Sequence, residues 1–306
     1  MKRDLLKLSD LTRAEMLEIF DITARLKSER KRGVAHPALA GKSVGMLFNK
    51  SSTRTRISFE VGIYQLGGQA VVLSGDRIQM GRGETPEDTA RVFSRYLDAL
   101  VIRTFAHEEA EVIARASTMP VINALTDKYH PCQILADMFT IIERRGSLDG
   151  VKVAYVGDGN NVSHSWLLGS AVMGIKLSVA TPKGYEPAED VVAEARKLAA
   201  SSGAVIGLTH DPREAVKGAD VVYTDTWISM GQDDEAEIRR KAFDGYMVDS
   251  ALMAAAGPGA IFMHCLPAHR GEEVSAEVMD GPNSAVWDEA ENRLHVQKAV
   301  LMKFVG

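Results

Sequence analysis

Short, unbroken apolar runs separated by amphipathic stretches constrain this chain more than any other feature. "SVGMLF", "AVVLSG", "ALVIRT" and "VINAL" punctuate the first half, and "VKVAYVGDG", "LSVATP", "AVIGLTH", "DVVYTD" and "AIFMHCL" follow after Gly146. Strands that are apolar along their whole length must be covered on both faces, and helical patterns between them supply the cover. The pattern predicts an α/β protein of two doubly wound parallel-sheet domains with an interdomain cleft. Its boundaries are expected at residues 1–130 and 131–288, with the helix that starts at Pro131 as the link. A final helix over 289–306 carries Val296, Ala299 and Val300 on one face. An opening helix is signalled by a capping box from Thr12 to Glu15, with Met16, Ile19 and Phe20 on its apolar side.

A chain of 306 residues fits two such domains. The formal net charge of −5 gives no global field for nucleic acid or an anionic membrane, so any anion site must be local. "MKRDLLKLSD" lacks the apolar core of a signal peptide, and no run is long enough to span a bilayer. Cys132 and Cys265 form no disulfide framework. A cytoplasmic location is the expectation.

In open α/β sheets, ligands bind beyond the carboxyl ends of the strands. "FNKSSTRTRISFE", residues 48–60, stands where a strand hands over to a helix and crowds Ser51, Ser52, Thr53, Arg54, Thr55 and Arg56 together. Free N–H groups, hydroxyl donors and a guanidinium fork make such a corner an anion site. Ser52 or Thr53 could instead simply cap the helix. Arg56 stands four residues before Glu60 and is explained by a surface pair, so Arg54 is the candidate ligand residue.

Other strand ends carry polar groups. Arg103 closes "ALVIRT", and "HPCQ" sets His130 before the helix-starting Pro131, with Gln133 as a further donor. His130 could equally cap that helix, and Gln133 could be exposed. "VGDGNNVSHS" has Gly157 and Gly159 but Val162 in place of a third glycine, which argues against a dinucleotide and leaves Asn160 and Asn161 for a small polar ligand. "YTDTWISMGQDDE" offers the Asp225 carboxylate for an ammonium, followed by Ser229-Met230-Gly231 in a loop. "FMHCLPAHRG" places Cys265 between His264 and His269 without an evident fourth metal ligand. Arg293 lies early in the last helix.

These motifs resemble, in order and end to end, those of the ornithine branch of the aspartate/ornithine carbamoyltransferase superfamily. Ser52-Thr53-Arg54-Thr55-Arg56 and His130-Pro131-Cys132-Gln133 resemble its shared carbamoyl-phosphate motifs. Asp225 to Gly231 and His264-Cys265-Leu266-Pro267 resemble those of the ornithine branch. The resemblance implies carbamoyl transfer from carbamoyl phosphate to the δ-amine of L-ornithine, with no metal and no organic cofactor. It implies phosphate contacts from Ser52, Thr53, Arg54 and Thr55, with Gln79 reaching from a neighbouring chain of a homotrimer. Arg103, His130, Pro131, Cys132, Gln133, Cys265, Leu266 and Arg293 would complete the carbamoyl-phosphate pocket. Asn161, Asp225, Ser229 and Met230 would bind ornithine. Arg103, His130 and Cys265 would carry the chemistry, Cys265 with thiolate character favoured by nearby cations.

Aspartate as acceptor would need cationic groups where this sequence has Asp225 and Cys265. A putrescine carbamoyltransferase usually carries a longer C-terminal helix than one ending at Gly306. A non-catalytic phosphate-binding homologue would need neither Cys265 nor the Ser229-Met230 loop.

Overall fold

A computed structural model describes residues 2–75 and 83–306, which divide into two compact units. Unit 1 comprises Met1–Ala136 with Asn292–Gly306, and unit 2 comprises Asp137–Glu291. The divisions fall inside two helices, so each of those helices contributes to both units.

Unit 1 opens with α1 (Arg13–Lys31), where the Thr12 hydroxyl accepts the Glu15 N–H at 3.3 Å and the Glu15 carboxylate accepts the Thr12 N–H at 2.9 Å. Met16, Ile19 and Phe20 are buried on its inner face. There follow β1 (Ser43–Phe48), α2 (Arg54–Gln65), β2 (Gln69–Ser74), α3 (Pro86–Tyr96), β3 (Ala99–Arg103), α4 (His107–Ala116), β4 (Val121–Leu125) and α5 (Pro131–Arg145). The sheet order is β2-β1-β3-β4, all parallel. Val44, Met46 and Leu47 of β1 and Leu100 to Ile102 of β3 are fully buried, as strands covered on both faces require.

Unit 2 holds β5 (Lys152–Val156), α6 (Asn161–Met173), β6 (Lys176–Ala180), α7 (Glu189–Ser202), β7 (Val205–Thr209), α8 (Pro212–Val216), β8 (Val221–Thr224), α9 (Ala236–Ala242), α10 (Ser250–Ala254), β9 (Ile261–His264) and α11 (Ala276–Met279). The last helix, α12 (Val286–Val305), starts three residues earlier than the sequence pattern suggests, because Val286 and Glu289 are buried in unit 2. Its sheet order is β7-β6-β5-β8-β9, again all parallel. Tyr155 stacks on Tyr223 at 5.9 Å and Trp166 meets Tyr223 edge-on at 5.5 Å, an aromatic core behind the strand ends.

Strand order reverses between β1 and β3 in unit 1 and between β5 and β8 in unit 2, which marks the carboxyl ends of those pairs as the ligand positions of each sheet. The second glycine after β5, Gly159, serves chain packing there. The Gly159 N–H donates to the Tyr185 carbonyl at 2.9 Å, and an added Cβ would fall 2.3 Å from Glu186 C and 2.4 Å from Pro187 N. Backbone, not a cofactor phosphate, occupies the space this glycine leaves open. Gly159→Ala is therefore expected to destabilise unit 2 by about 1–3 kcal/mol, read as a lower thermal or urea midpoint. An unchanged midpoint would show that residues 185–187 can withdraw freely.

Candidate active site

At the switch point of unit 1, β1 ends and the chain crosses Asn49 to Thr53 before α2 begins. Thr53 is the N-cap by position but makes no side-chain cap hydrogen bond, and the first turn contains no acidic residue. The amide donors of that turn face outward with only the helix dipole behind them. Ser51, Ser52 and Thr53 line a cavity of about 860 Å³ together with Lys50 and Arg56. Arg56 also pairs with Glu60 at 3.6 Å.

Deeper in the unit, Thr55 is a meeting point. Its hydroxyl oxygen accepts from Arg293 Nη2 at 2.7 Å and from Arg103 Nη1 at 3.5 Å, and Arg293 Nη1 donates to Gln133 Oε1. Gln133 is fully buried, and Thr55, Arg103, His130 and Arg293 are nearly so. Burial, followed by the charges of Arg293, Arg103 and Arg54, holds His130 well below its ordinary pKa. The imidazole is neutral at physiological pH and can donate one N–H without adding charge. Burial pushes the Cys132 thiol up to about 12, and its Sγ–H points at the Asn123 carbonyl at 3.6 Å. Cys132 is thus inert as a nucleophile, whatever its backbone does at the start of α5. Gln79 lies outside the described residues.

The corresponding position in unit 2 carries the opposite sign. Asn160 caps α6, its Oδ1 accepting the N–H groups of Val162 at 2.9 Å and Ser163 at 3.2 Å. Its Nδ2 donates to Asp225 Oδ2 at 2.7 Å. Asp225 Oδ1 accepts the Thr226 N–H at 2.8 Å and the Cys265 thiol at 2.9 Å. The Asp225 carboxylate is buried and held from three sides. Asn161 heads α6 and is half-buried, Ser229 is closed into a turn by Gln232 through bonds of 2.9 and 3.0 Å, and Met230 is exposed.

Cys265 departs from expectation. Its neighbours within unit 2 are carboxylates rather than cations, and burial followed by Asp225, Glu289 and Asp137 raises its pKa well above the ordinary value. The sulfur is a neutral thiol that keeps its proton and donates a hydrogen bond through it to Asp225, not a thiolate. Leu266, at φ 61°, follows with its N–H bonded to His264 Nδ1 at 2.8 Å. That bond leaves the His264 proton on Nε2, facing Glu273 at 3.3 Å. Asp225, His264 and Cys265 each bring one possible metal-ligand atom within 4.8 Å of the others, yet both ring nitrogens of His264 are already engaged.

Several residues at these ends carry no motif signal. Glu273 and Glu289 are buried charges that set the His264–Leu266 turn, Glu289 accepting the His264 N–H at 2.9 Å. Lys50 is buried against Asp127 with its ammonium 4.4 Å from the Phe105 ring centre. Asp158 and Arg239 form a buried pair. Only the position of Asp158, directly after a strand, marks it in the sequence.

Comparison with known proteins agrees with this division of labour. Residues 3–143 match the model of the aspartate/ornithine carbamoyltransferase carbamoyl-P binding domain, and residues 149–304 match that of the Asp/Orn binding domain. An ornithine carbamoyltransferase of Caldicellulosiruptor saccharolyticus is 56% identical over 98% of this chain and 97% of its own length. One from Methanoculleus marisnigri is 51% identical over 100% of this chain and 98% of its own. The solved ornithine carbamoyltransferase of Pyrococcus furiosus superposes with a TM-score of 0.96 at 53% identity, covering 99% of this chain and 97% of that one. A cationic corner in one sheet, a carboxylate corner in the other and matches across both halves lead to one conclusion: the chain belongs to the aspartate/ornithine carbamoyltransferase family.

Proposed function

We propose that this chain transfers the carbamoyl group of carbamoyl phosphate to the δ-amine of L-ornithine, giving L-citrulline and phosphate. The observation that carries the reading is the convergence of Arg103 and Arg293 on the Thr55 hydroxyl beside a neutral His130, at the strand ends where a sheet of this kind binds ligands.

In this reading, the first turn of α2 and the Ser52, Thr53, Arg54 and Thr55 side chains hold the phosphate. Arg103, Thr55 and His130 surround the carbamoyl oxygen, with Gln133 and Arg293 fixing the same group. The neutral amine attacks the carbamoyl carbon, and charge that develops on the oxygen meets donors already aimed at it. The C–O bond to phosphate breaks, the proton of the attacking nitrogen passes to a departing phosphate oxygen, and hydrogen phosphate leaves as a dianion into the same donors. Asp225, with Asn161, Ser229 and Met230, receives the α-amino acid end of ornithine. Cys265 supports Asp225 as a hydrogen-bond donor, and the Cys265-Leu266 backbone borders the carbamoyl group. Holding two small reactants together supplies much of the rate.

Two free cysteines fit a cytoplasmic enzyme of arginine metabolism. A homotrimer that shares its sites, with Gln79 contributed by a neighbouring chain, is supported by the outer face of α2, which leaves Ile57, Val61 and Tyr64 exposed at helical spacing. Aspartate and putrescine remain the competing acceptors. The Asp225 carboxylate disfavours the first, and the second lacks the α-carboxylate that distinguishes an amino acid.

A citrulline assay with carbamoyl phosphate and each amine tests the function, and faster turnover of putrescine than ornithine would overturn it. Asp225→Asn should raise the ornithine KM about ten- to a hundredfold, the cost of one charge-assisted hydrogen bond, while carbamoyl phosphate binds as before. Iodoacetamide at neutral pH should alkylate Cys265 far more slowly than a free thiol, because the thiolate is scarce. Rapid labelling seen by peptide mass spectrometry would restore the thiolate assignment. Mixed refolding of inactive Gln79→Ala and Arg103→Ala chains should recover roughly a quarter of the sites if neighbouring subunits share them. Verified mixed trimers without activity would mean that Gln79 acts in its own chain or not at all.

A further inference from the structure

Arg239 ties together segments that follow three different strands. It lies on α9, just beyond the Ser229–Gly231 loop, and is only 4% exposed. Its Nε donates to the Trp227 carbonyl at 2.6 Å, and Nη2 donates to the Asp158 carboxylate in the turn after β5. The guanidinium carbon stands 4.9 Å from the centre of the Tyr185 ring, in the segment after β6. Its neighbour in sequence, Arg240, shows the ordinary alternative: an exposed pair with Glu272 at 3.1 Å.

Burying an ion pair is costly, and an apolar side chain of similar size commonly stabilises a core as well or better. What the pair adds here is geometry. Trp227 stands between Asp225 and Ser229, so a clamp on its carbonyl sets where both of those side chains lie. Asp158 anchors the clamp to the turn beside Asn160, which itself donates to Asp225 at 2.7 Å.

We propose that Arg239, paired with Asp158, is a positioning residue for the acceptor: it holds the Asp225–Met230 segment in the shape that receives the α-amino acid end of ornithine, without touching the ligand. The proposal rests on the assignment of that segment to ornithine.

The pair also makes the loop sensitive to acid. The charged and titratable groups facing Asp158 are Arg239 from α9, Asp225 after β8 and Tyr155 from β5. Burial, with Asp225 adding to it and Arg239 opposing, pushes the Asp158 carboxyl up to about 7. Protonation removes one charge from the pair, so the clamp weakens as pH falls through neutrality.

Norvaline keeps the α-amino acid end of ornithine and lacks the δ-amine, so its inhibition against ornithine, at saturating carbamoyl phosphate, reports on the loop without the titration of that amine. Arg239→Met should raise both the norvaline inhibition constant and the ornithine KM about tenfold or more, with a much smaller change in kcat. Arg239→Lys should recover part of the loss. Calorimetry with carbamoyl phosphate alone should give the parental affinity in each variant. Asp158→Asn, which preserves shape, should show a smaller loss and remove the weakening of norvaline that the parent shows below pH 7. Parental norvaline constants in Arg239→Met and Asp158→Asn overturn the positioning role. So does equal loss of norvaline and carbamoyl phosphate affinity. A parent protein that makes no citrulline overturns instead the functional reading beneath it.

Discussion

Parallel pairing obliges each strand to be followed by a crossover, so every strand of a sheet ends at the same edge. The rest of this structure depends on that constraint. In unit 1 it brings the end of β1 beside the end of β3, and with them the Ser52 to Thr55 corner and Arg103. In unit 2 it sets the turn after β5 beside Asp225, so Asn160 can reach the carboxylate. Residues about 50 positions apart in unit 1 and 65 apart in unit 2 become neighbours through pairing alone.

The two corners then use low dielectric in opposite ways. Burial, reinforced by the gathered arginines, keeps the His130 imidazole neutral, and the field of those arginines favours an anion with several oxygen acceptors. Carboxylates gathered around a buried thiol keep it protonated, and the thiol in turn becomes a donor that steadies Asp225. Neither group titrates in its habitual range, because burial adds to the effect of the surrounding charges. Each corner therefore presents a fixed charge environment, of opposite sign in the two units.

Strands and their parallel arrangement were legible because a strand covered on both faces must be largely apolar, and apart from Ser43, Arg103 and Thr224 at their ends β1, β3 and β8 are. Capping was legible at Thr12 because the box is local. The polar side of α12 was not. The family resemblance places Arg293 in the pocket, but no local pattern marks Asn292, Arg293 or Lys298 as buried; all three are, bonded respectively to Lys27, to Thr55 and Gln133, and to Gln65. Their partners lie at least 160 positions away in the chain, beyond any periodicity argument. Gln133 is named by its motif, but a polar residue in the first turn of a helix gives no sign of complete burial, so the choice between pocket and solvent waited for the fold.

Local properties of the sequence, its apolar runs, caps and motif spacing, settle the class of fold, the succession of strands along the chain and the residue types at their carboxyl ends. The order of those strands within each sheet came from the fold. Tertiary structure decided which of those end groups are charged. The sequence expectation gave Cys265 nearby cations and a thiolate, and packing gave it carboxylates and a proton. No local signal joins Asp158 to Arg239, 81 positions away, whereas folding buried them together. Ionisation depends on what surrounds a group in space, and that environment exists only once distant segments have met.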